Sequence, residues 1–289
     1  MRLLTFVYRG RKSIGIDLDT ERVLDLGLAA GFPSSMRAFL ESSGESLEKA
    51  KRLISDPPKG ALIQRRDLHL CPPLSVEDRP KIFCIGQNYA EHAAETGSKL
   101  SEQPVVFAKF STALCGPDDN VVYPPNASSL DYEVELVVVM GKTAKCVSQD
   151  EAMDYVFGYT CGNDVSERQF QRGDRQWLRA KSSDSFGPIG PVIVSRDEIP
   201  DPHNLALGSR VNGETRQNYR TDSMVFRVPR LIEFISHHLT MEPGDLIFTG
   251  TPPGVGLGMK PPQFLKPGDE VEVWIEKIGS VKNQVVAPA

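Results

Sequence analysis

The chain has 289 residues, 40% apolar and 25% charged, with 33 basic against 38 acidic side chains. The net charge of −5 brings neither the basic excess nor the basic stripe of a nucleic-acid binder, and no run of about 18 continuous apolar residues exists to span a membrane. The five cysteines (Cys71, Cys84, Cys115, Cys146, Cys161) include no C-x-x-C pair and the five histidines no H-E-x-x-H, so neither a disulfide framework nor a zinc motif is indicated.

From the N-terminus, alternation over 3–8 and 13–17 predicts two short strands joined by Arg9-Gly10-Arg11-Lys12, and a third runs over 22–26. No apolar signal segment precedes them, so the cytosol is expected, with an organelle matrix as the alternative. Residues 34–55 read as helical, interrupted at Ser42-Ser43-Gly44. Breakers follow at Asp56-Pro57-Pro58 and Cys71-Pro72-Pro73. The expected organisation is a small N-terminal α+β domain over 1–70, a linker over 71–80 and a larger domain over 81–289. In the larger part, β-rich runs at 81–85, 105–108, 133–140, 192–194, 246–249 and 270–275 outweigh helical patterns at 88–96, 149–156, 165–172 and 228–238. Pro243-Gly244-Asp245 and Pro267-Gly268-Asp269 each enter a late strand through a turn of type II character. This predicts an α+β chain, predominantly β, and not a regular βαβ series. The glycine cluster at 250–258 is no nucleotide loop, because Pro261-Pro262 stop any following helix and no G-K-[ST] is present.

The acidic segment Asp131-Tyr132-Glu133-Val134-Glu135-Leu136 carries the most information. With period two, Asp131, Glu133 and Glu135 share one face. A solvent face would explain the alternation, but the strand runs on through Val137-Val138-Val139-Met140, which suggests burial on both sides. Neighbouring carboxylates on one face repel unless a cation or proton separates them. A hard divalent ion bound through oxygen is the economical solution. Asp164, at a strand-to-helix junction, is either a helix N-cap or a third ligand. Glu, Glu and Asp together suit Mg²⁺ or Mn²⁺. His92 and Glu95, at i and i+3, share one face of a helical turn. The carboxylate can then orient the imidazole as a general base, although an isolated pair of this spacing also fits an ordinary surface helix.

Six segments in order resemble the fumarylacetoacetate hydrolase family: Gly86-Gln87-Asn88-Tyr89 through His92 and Glu95; Phe107-Ala108-Lys109; Asp131 to Leu136; Asn163-Asp164-Val165-Ser166 with Arg168 and Gln171; Lys181-Ser182 with Asp184 and Phe186; and Thr249-Gly250-Thr251-Pro252-Pro253-Gly254-Val255-Gly256. The tail from Lys260 to Glu270 is most similar to the domain-containing protein 2 branch of that family. The resemblance implies a mixed β-roll, usually a homodimer, with Glu133, Glu135 and Asp164 as ligands of Mg²⁺, Mn²⁺ or Ca²⁺. Larger family members carry a further Asp ligand shortly before the histidine. None lies between Lys81 and His92, which favours the three-carboxylate Mg²⁺ or Mn²⁺ site. The resemblance further assigns His92, Glu95 and Lys181 to catalysis, and Tyr89, Lys109, Arg168, Gln171 and Thr251 to the substrate. It makes 88–101 a mobile lid. The implied substrate is a small α-keto or β-diketo acid, with no nucleic acid and no membrane as partner. The first expectation is a metal-dependent hydrolase cleaving C–C bonds of acylpyruvates to give an α-keto acid such as pyruvate. The alternatives are oxaloacetate keto–enol tautomerisation or decarboxylation at the same site, and a catalytically silent binding protein. The intact His92, Glu95 and Lys181 argue against the last.

Overall fold

Both faces of the apolar run Val134–Met140 are buried, and such a strand can only sit inside a sheet covered on two sides. In the computed structural model, which describes residues 1–29 and 31–288, this strand lies within a twelve-stranded mixed sheet. It pairs antiparallel with Val156–Asn163 on one side and Leu246–Phe248 on the other. Period two divides its side chains between two cores. Val134, Leu136, Val138 and Met140 join Leu4, Phe6, Val192 and Val194, whereas Val137 and Val139 join Leu3, Ile14, Ile16 and Ile193. A five-stranded sheet, including Ala206–Val211, Glu214–Arg220, Glu270–Ile275 and Gly279–Val286, packs beside it. Helices are short and few. The architecture is α+β and mostly strand.

Three differences from the sequence reading have physical causes. The acidic strand is broken at Tyr132-Glu133. Leu130–Asp131 pairs with Ser166–Glu167 in a sheet of its own. The Glu133 N–H is taken by Asn163 Oδ1 at 2.9 Å and the Val134 N–H by Gln217 Oε1 at 3.0 Å. Side chains thus replace ladder partners where the backbone turns to aim Glu133. Second, the N-terminal strands continue the large sheet: Arg2 and Leu3 pair with Val194 and Ile193. Third, the stretch 71–80, read as a linker, is packed against the strands it joins. Pro72, Pro73, Leu74 and Ser75 are buried, and Thr5 donates to the Pro73 carbonyl at 2.8 Å.

The close strand pairing demands glycine at Gly158, where a Cβ would lie 2.1 Å from the Val194 carbonyl oxygen. Gly158→Ala is expected to cost at least about 2 kcal/mol, since backbone must move to admit the methyl. Gly44→Ala, on a helical residue with nothing within 4 Å of the new methyl, should instead add up to about 1 kcal/mol. Urea unfolding of the two variants beside the wild type checks both signs.

Candidate functional site

Antiparallel pairing sets Val134 opposite Asn163, so Glu133 and Asp164 meet where two strands end. The Asp164 N–H donates to the Glu133 carbonyl at 2.9 Å. One carboxylate oxygen from each of Glu133, Glu135 and Asp164 falls within 4.8 Å of the others, and all three residues are buried. Three cations face them. Lys181 Nζ is 2.7 Å from both Glu133 Oε2 and Asp164 Oδ2. Lys109 Nζ is 2.6 Å from Asp164 Oδ1. Arg168 reaches Glu133 Oε1 at 2.6 Å and Asp131 Oδ2 at 2.9 Å.

The carboxylates are not equivalent. Burial pushes the Glu133 carboxyl up, but Arg168 and Lys181 outweigh it and hold the group well below the usual carboxylate range. Glu135 is pushed well above that range, first by burial and then by the charges of Asp164 and Glu133. Its one hydrogen bond comes from the Gly250 N–H, at 2.7 Å to Oε2, and no cation lies within ion-pair distance among the described residues. An ionised Glu135 therefore needs a further positive charge. The donor set fits a hard divalent ion, whose opposite oxygen ligands stand about 4.2 Å apart for Mg²⁺ and about 5 Å for Ca²⁺.

The second element is His92, whose Nδ1 is 3.0 Å from Glu95 Oε1. A carboxylate only accepts, so this pairing puts the proton on Nδ1 and leaves the Nε2 lone pair free. Glu95 is fixed in turn by the Gly254 N–H, at 3.1 and 3.0 Å to its two oxygens. The same glycine-rich loop holds Asp131 through the Gly256 and Leu257 N–H groups, at 2.7 and 3.0 Å.

A cavity of about 250 Å³ joins these parts, and His92, Glu133, Glu135, Arg168, Gln171, Lys181 and Thr251 line it. Gln217 donates to Thr251 Oγ1 at 2.8 Å, which leaves the hydroxyl proton for a ligand. Arg168 Nη1 donates to Gln171 Oε1 at 3.0 Å, which leaves the amide NH₂ free. Two expected substrate contacts lie elsewhere. Tyr89 is outside the cavity wall, its ring buried edge-on against Tyr219 at 6.3 Å. Lys109 also lies outside it. Besides Asp164, its ammonium meets the carbonyls of Val165 at 3.2 Å, Phe186 at 2.8 Å and Lys181, so it braces a ligand and the helix end that carries Lys181. The expected lid cannot begin at Asn88, which is fully buried. Its side chain bonds the Phe226 carbonyl at 3.0 Å, the Thr249 carbonyl at 2.7 Å and the Phe226 N–H at 2.7 Å. Asp131, Gln217 and the loop amides join the site without having been marked by a motif of their own. The signal for Asp131 was its place on the Glu133 and Glu135 face.

Residues 81–286 match the family model described as fumarylacetoacetate (FAA) hydrolase C-terminal, and the chain belongs to that family. It is 42% identical over 256 residues to a Bos taurus protein named oxaloacetate tautomerase FAHD2A, mitochondrial, covering 88% of this chain and 80% of that one. Among solved structures, a fumarylacetoacetate hydrolase from Exiguobacterium antarcticum superposes with TM-score 0.85 at 34% identity, over 100% of both chains. A maleylpyruvate hydrolase from Sphingobium sp. SYK-6, in complex with manganese (II) ion and pyruvate, does so with TM-score 0.82 at 28% identity, again over 100% of both. The family relation and the buried Glu133, Glu135, Asp164 cluster together mark a divalent-metal site.

Glu135 gives this assignment a direct test. Glu135→Gln keeps the acceptor for the Gly250 N–H and removes the carboxylate that burial and its neighbours disfavour. Metal-free protein should gain about 1 kcal/mol or more, seen as a higher Tm in EDTA. Mn²⁺ affinity should fall at least about a hundredfold, because one of three protein oxygens loses its charge. Calorimetric titration that finds wild-type affinity in the variant overturns the ligand assignment.

Proposed function

We propose that this family member catalyses keto–enol tautomerisation of an oxaloacetate-type 2-oxo acid, in place of the acylpyruvate hydrolysis that the sequence put first. The observation that carries the reading is the His92–Glu95 pair, 3.0 Å apart, opening onto the same cavity as the buried carboxylate cluster. Tautomerisation needs one proton moved between carbon and oxygen, with no bond broken to a leaving group. His92 Nε2 takes the proton from the carbon beside the keto group and the resulting imidazolium delivers it to the enolate oxygen, the reverse reaction retracing both transfers, while the Glu95 carboxylate stabilises the imidazolium between. A divalent ion held by Glu133, Glu135 and Asp164 supplies Lewis-acid stabilisation of the enolate charge when bound, with Mg²⁺ or Mn²⁺ as the proposed identity. Lys181 keeps Glu133 and Asp164 in register at 2.7 Å and adds positive charge where the enolate forms. The Thr251 hydroxyl and the Gln171 amide face the cavity as donors to the substrate carboxylate.

The tautomerase name of the bovine relative supports this choice over the hydrolase. Hydrolysis remains the second reading, supported by the maleylpyruvate hydrolase similarity; it uses the same base on a water molecule. That relative's mitochondrial name supports an organelle matrix over the cytosol for this chain. No helix among the described residues is long and apolar enough to cross a membrane. A homodimer belongs to the same proposal: Val105–Lys109 ends the large sheet, and Phe110 beside it is 57% exposed.

With Mg²⁺ or Mn²⁺ supplied, wild-type protein should speed decay of the oxaloacetate enol absorbance and release neither pyruvate nor CO₂. His92→Ala should lose about 10²–10⁴-fold of that rate, the usual share of a general base. Stopped-flow absorbance with product chromatography reads both. Cleavage of acetylpyruvate or fumarylpyruvate to pyruvate, without enol exchange, would return the hydrolase to first place.

A further inference from the structure

We propose that Arg172 is the specificity-determining residue of the cavity: it receives the second carboxylate of a 2-oxo dicarboxylate and so selects such acids over monocarboxylates. The proposal rests on the functional reading above in taking the substrate to be a 2-oxo acid.

The short helix Arg168–Gly173 turns Arg168, Gln171 and Arg172, at i, i+3 and i+4, toward one cavity. The two arginines then part ways. Arg168 is buried, and its guanidinium is spent on Asp131, Glu133 and Gln171. Lys181 and Lys109 are likewise committed to Glu133 and Asp164. Arg172 is exposed at the cavity rim and has no ion-pair partner among the described residues. The acidic groups nearest to it in the chain are already engaged. Asp174 is held by two bonds from Arg179, both 2.6 Å. Glu167 accepts from the amides of Ser128, Ser129 and Phe170.

The rest of the wall offers an anion no other unpaired cation: Gln87, Thr96 and Ser98 add only neutral polar groups. Ile85, Phe107, Trp177 and Leu257 supply apolar surface, with Trp177 packed edge-on against Phe107 at 5.1 Å. A ligand whose keto-acid end faces the carboxylate cluster can place a distal carboxylate against those neutral and apolar groups or against an unmatched guanidinium. The second choice keeps the charge solvated and adds fork-shaped donors that fit a carboxylate in a bidentate manner. A monocarboxylate leaves Arg172 in water and gains nothing from it.

Malate and lactate, two non-reacting 2-hydroxy acids that differ by the distal carboxylate, test this by calorimetry on Mn²⁺-loaded protein. Wild type should bind malate about tenfold more tightly than lactate, the low end for a hydrogen bond to a charged group. Arg172→Gln should erase that ratio, and Arg172→Lys should restore part of it. In enol exchange the substitution should raise the KM for oxaloacetate by a similar factor, with a smaller change in kcat. Equal binding of the two acids by wild type overturns the proposal, as does an Arg172→Gln protein that keeps the malate preference. If wild type shows no enol exchange, the tautomerase reading fails, while the malate-to-lactate ratio still decides the role of Arg172.

Discussion

Four buried carboxylates face three buried cations, and the rest of the site is arranged around that mismatch. Asp131, Glu133 and Asp164 each have an arginine or lysine within 2.9 Å. Among the described residues, Glu135 has only a backbone N–H. Removing ions from water costs several kcal/mol each even after relaxation, so such a cluster persists only where the surrounding structure holds it in place. The twelve-stranded sheet does this. Glu135 projects from a strand paired on both sides, and a strand so fixed cannot turn its carboxylate back to solvent. The unmatched charge becomes affinity for a divalent ion because the fold prevents every other remedy except protonation.

The loop Gly250 to Gly258 connects this cluster to the base. Its amides hold Glu135 at Gly250, Glu95 at Gly254, and Asp131 at Gly256 and Leu257. It is therefore an anion cradle whose anions are the protein's own side chains. Glycine is required at two of these points. Gly250 has φ +99° and would place a Cβ 2.6 Å from that of Asn88, and Gly254 has φ +104° with a Cβ 2.3 Å from the Arg216 carbonyl. Tyr132, between the two carboxylates Asp131 and Glu133, donates to the Gly254 carbonyl at 3.2 Å. The carboxylate cluster and the His92–Glu95 pair thus share one support, which fixes their separation.

How much of this was legible follows from the range of each signal. Period two put Glu133 and Glu135 on one face from the sequence alone, and the unbroken valine run announced a strand covered on both sides. The same-face pair Glu133 and Glu135 and the mostly-β class follow from such local patterns, whereas Asp164 reads equally as a helix N-cap until the family resemblance implies a ligand. A motif names Lys109 and Tyr89 without saying which way they point, and neither side chain lines the cavity. The break at Tyr132-Glu133 was invisible because Asn163 and Gln217 make it from 30 and 83 residues away. The hairpin Ala206–Val211 with Glu214–Arg220 was passed over because its second strand is strongly polar. Asn212-Gly213, both at positive φ, was the available sign, since paired left-handed residues make the tightest hairpin turn.

Under the proposed reading, the reaction class does not reside in the ligand set. Enolate stabilisation at the carboxylate cluster serves tautomerisation, decarboxylation and C–C cleavage alike. Tautomerisation and cleavage differ in what His92 meets. If the substrate's own carbon stands beside Nε2, a proton moves and the product is an isomer. If a water molecule stands there, the same lone pair makes a nucleophile. Packing beside His92 therefore selects the chemistry. A distal carboxylate drawn toward Arg172 fixes which carbon lies under the imidazole, whereas an uncharged acyl group leaves that register open. If Arg172 receives the distal carboxylate as proposed, substrate selection and reaction selection become one choice, because the charge that recognises the dicarboxylate also decides which atom is presented to the base.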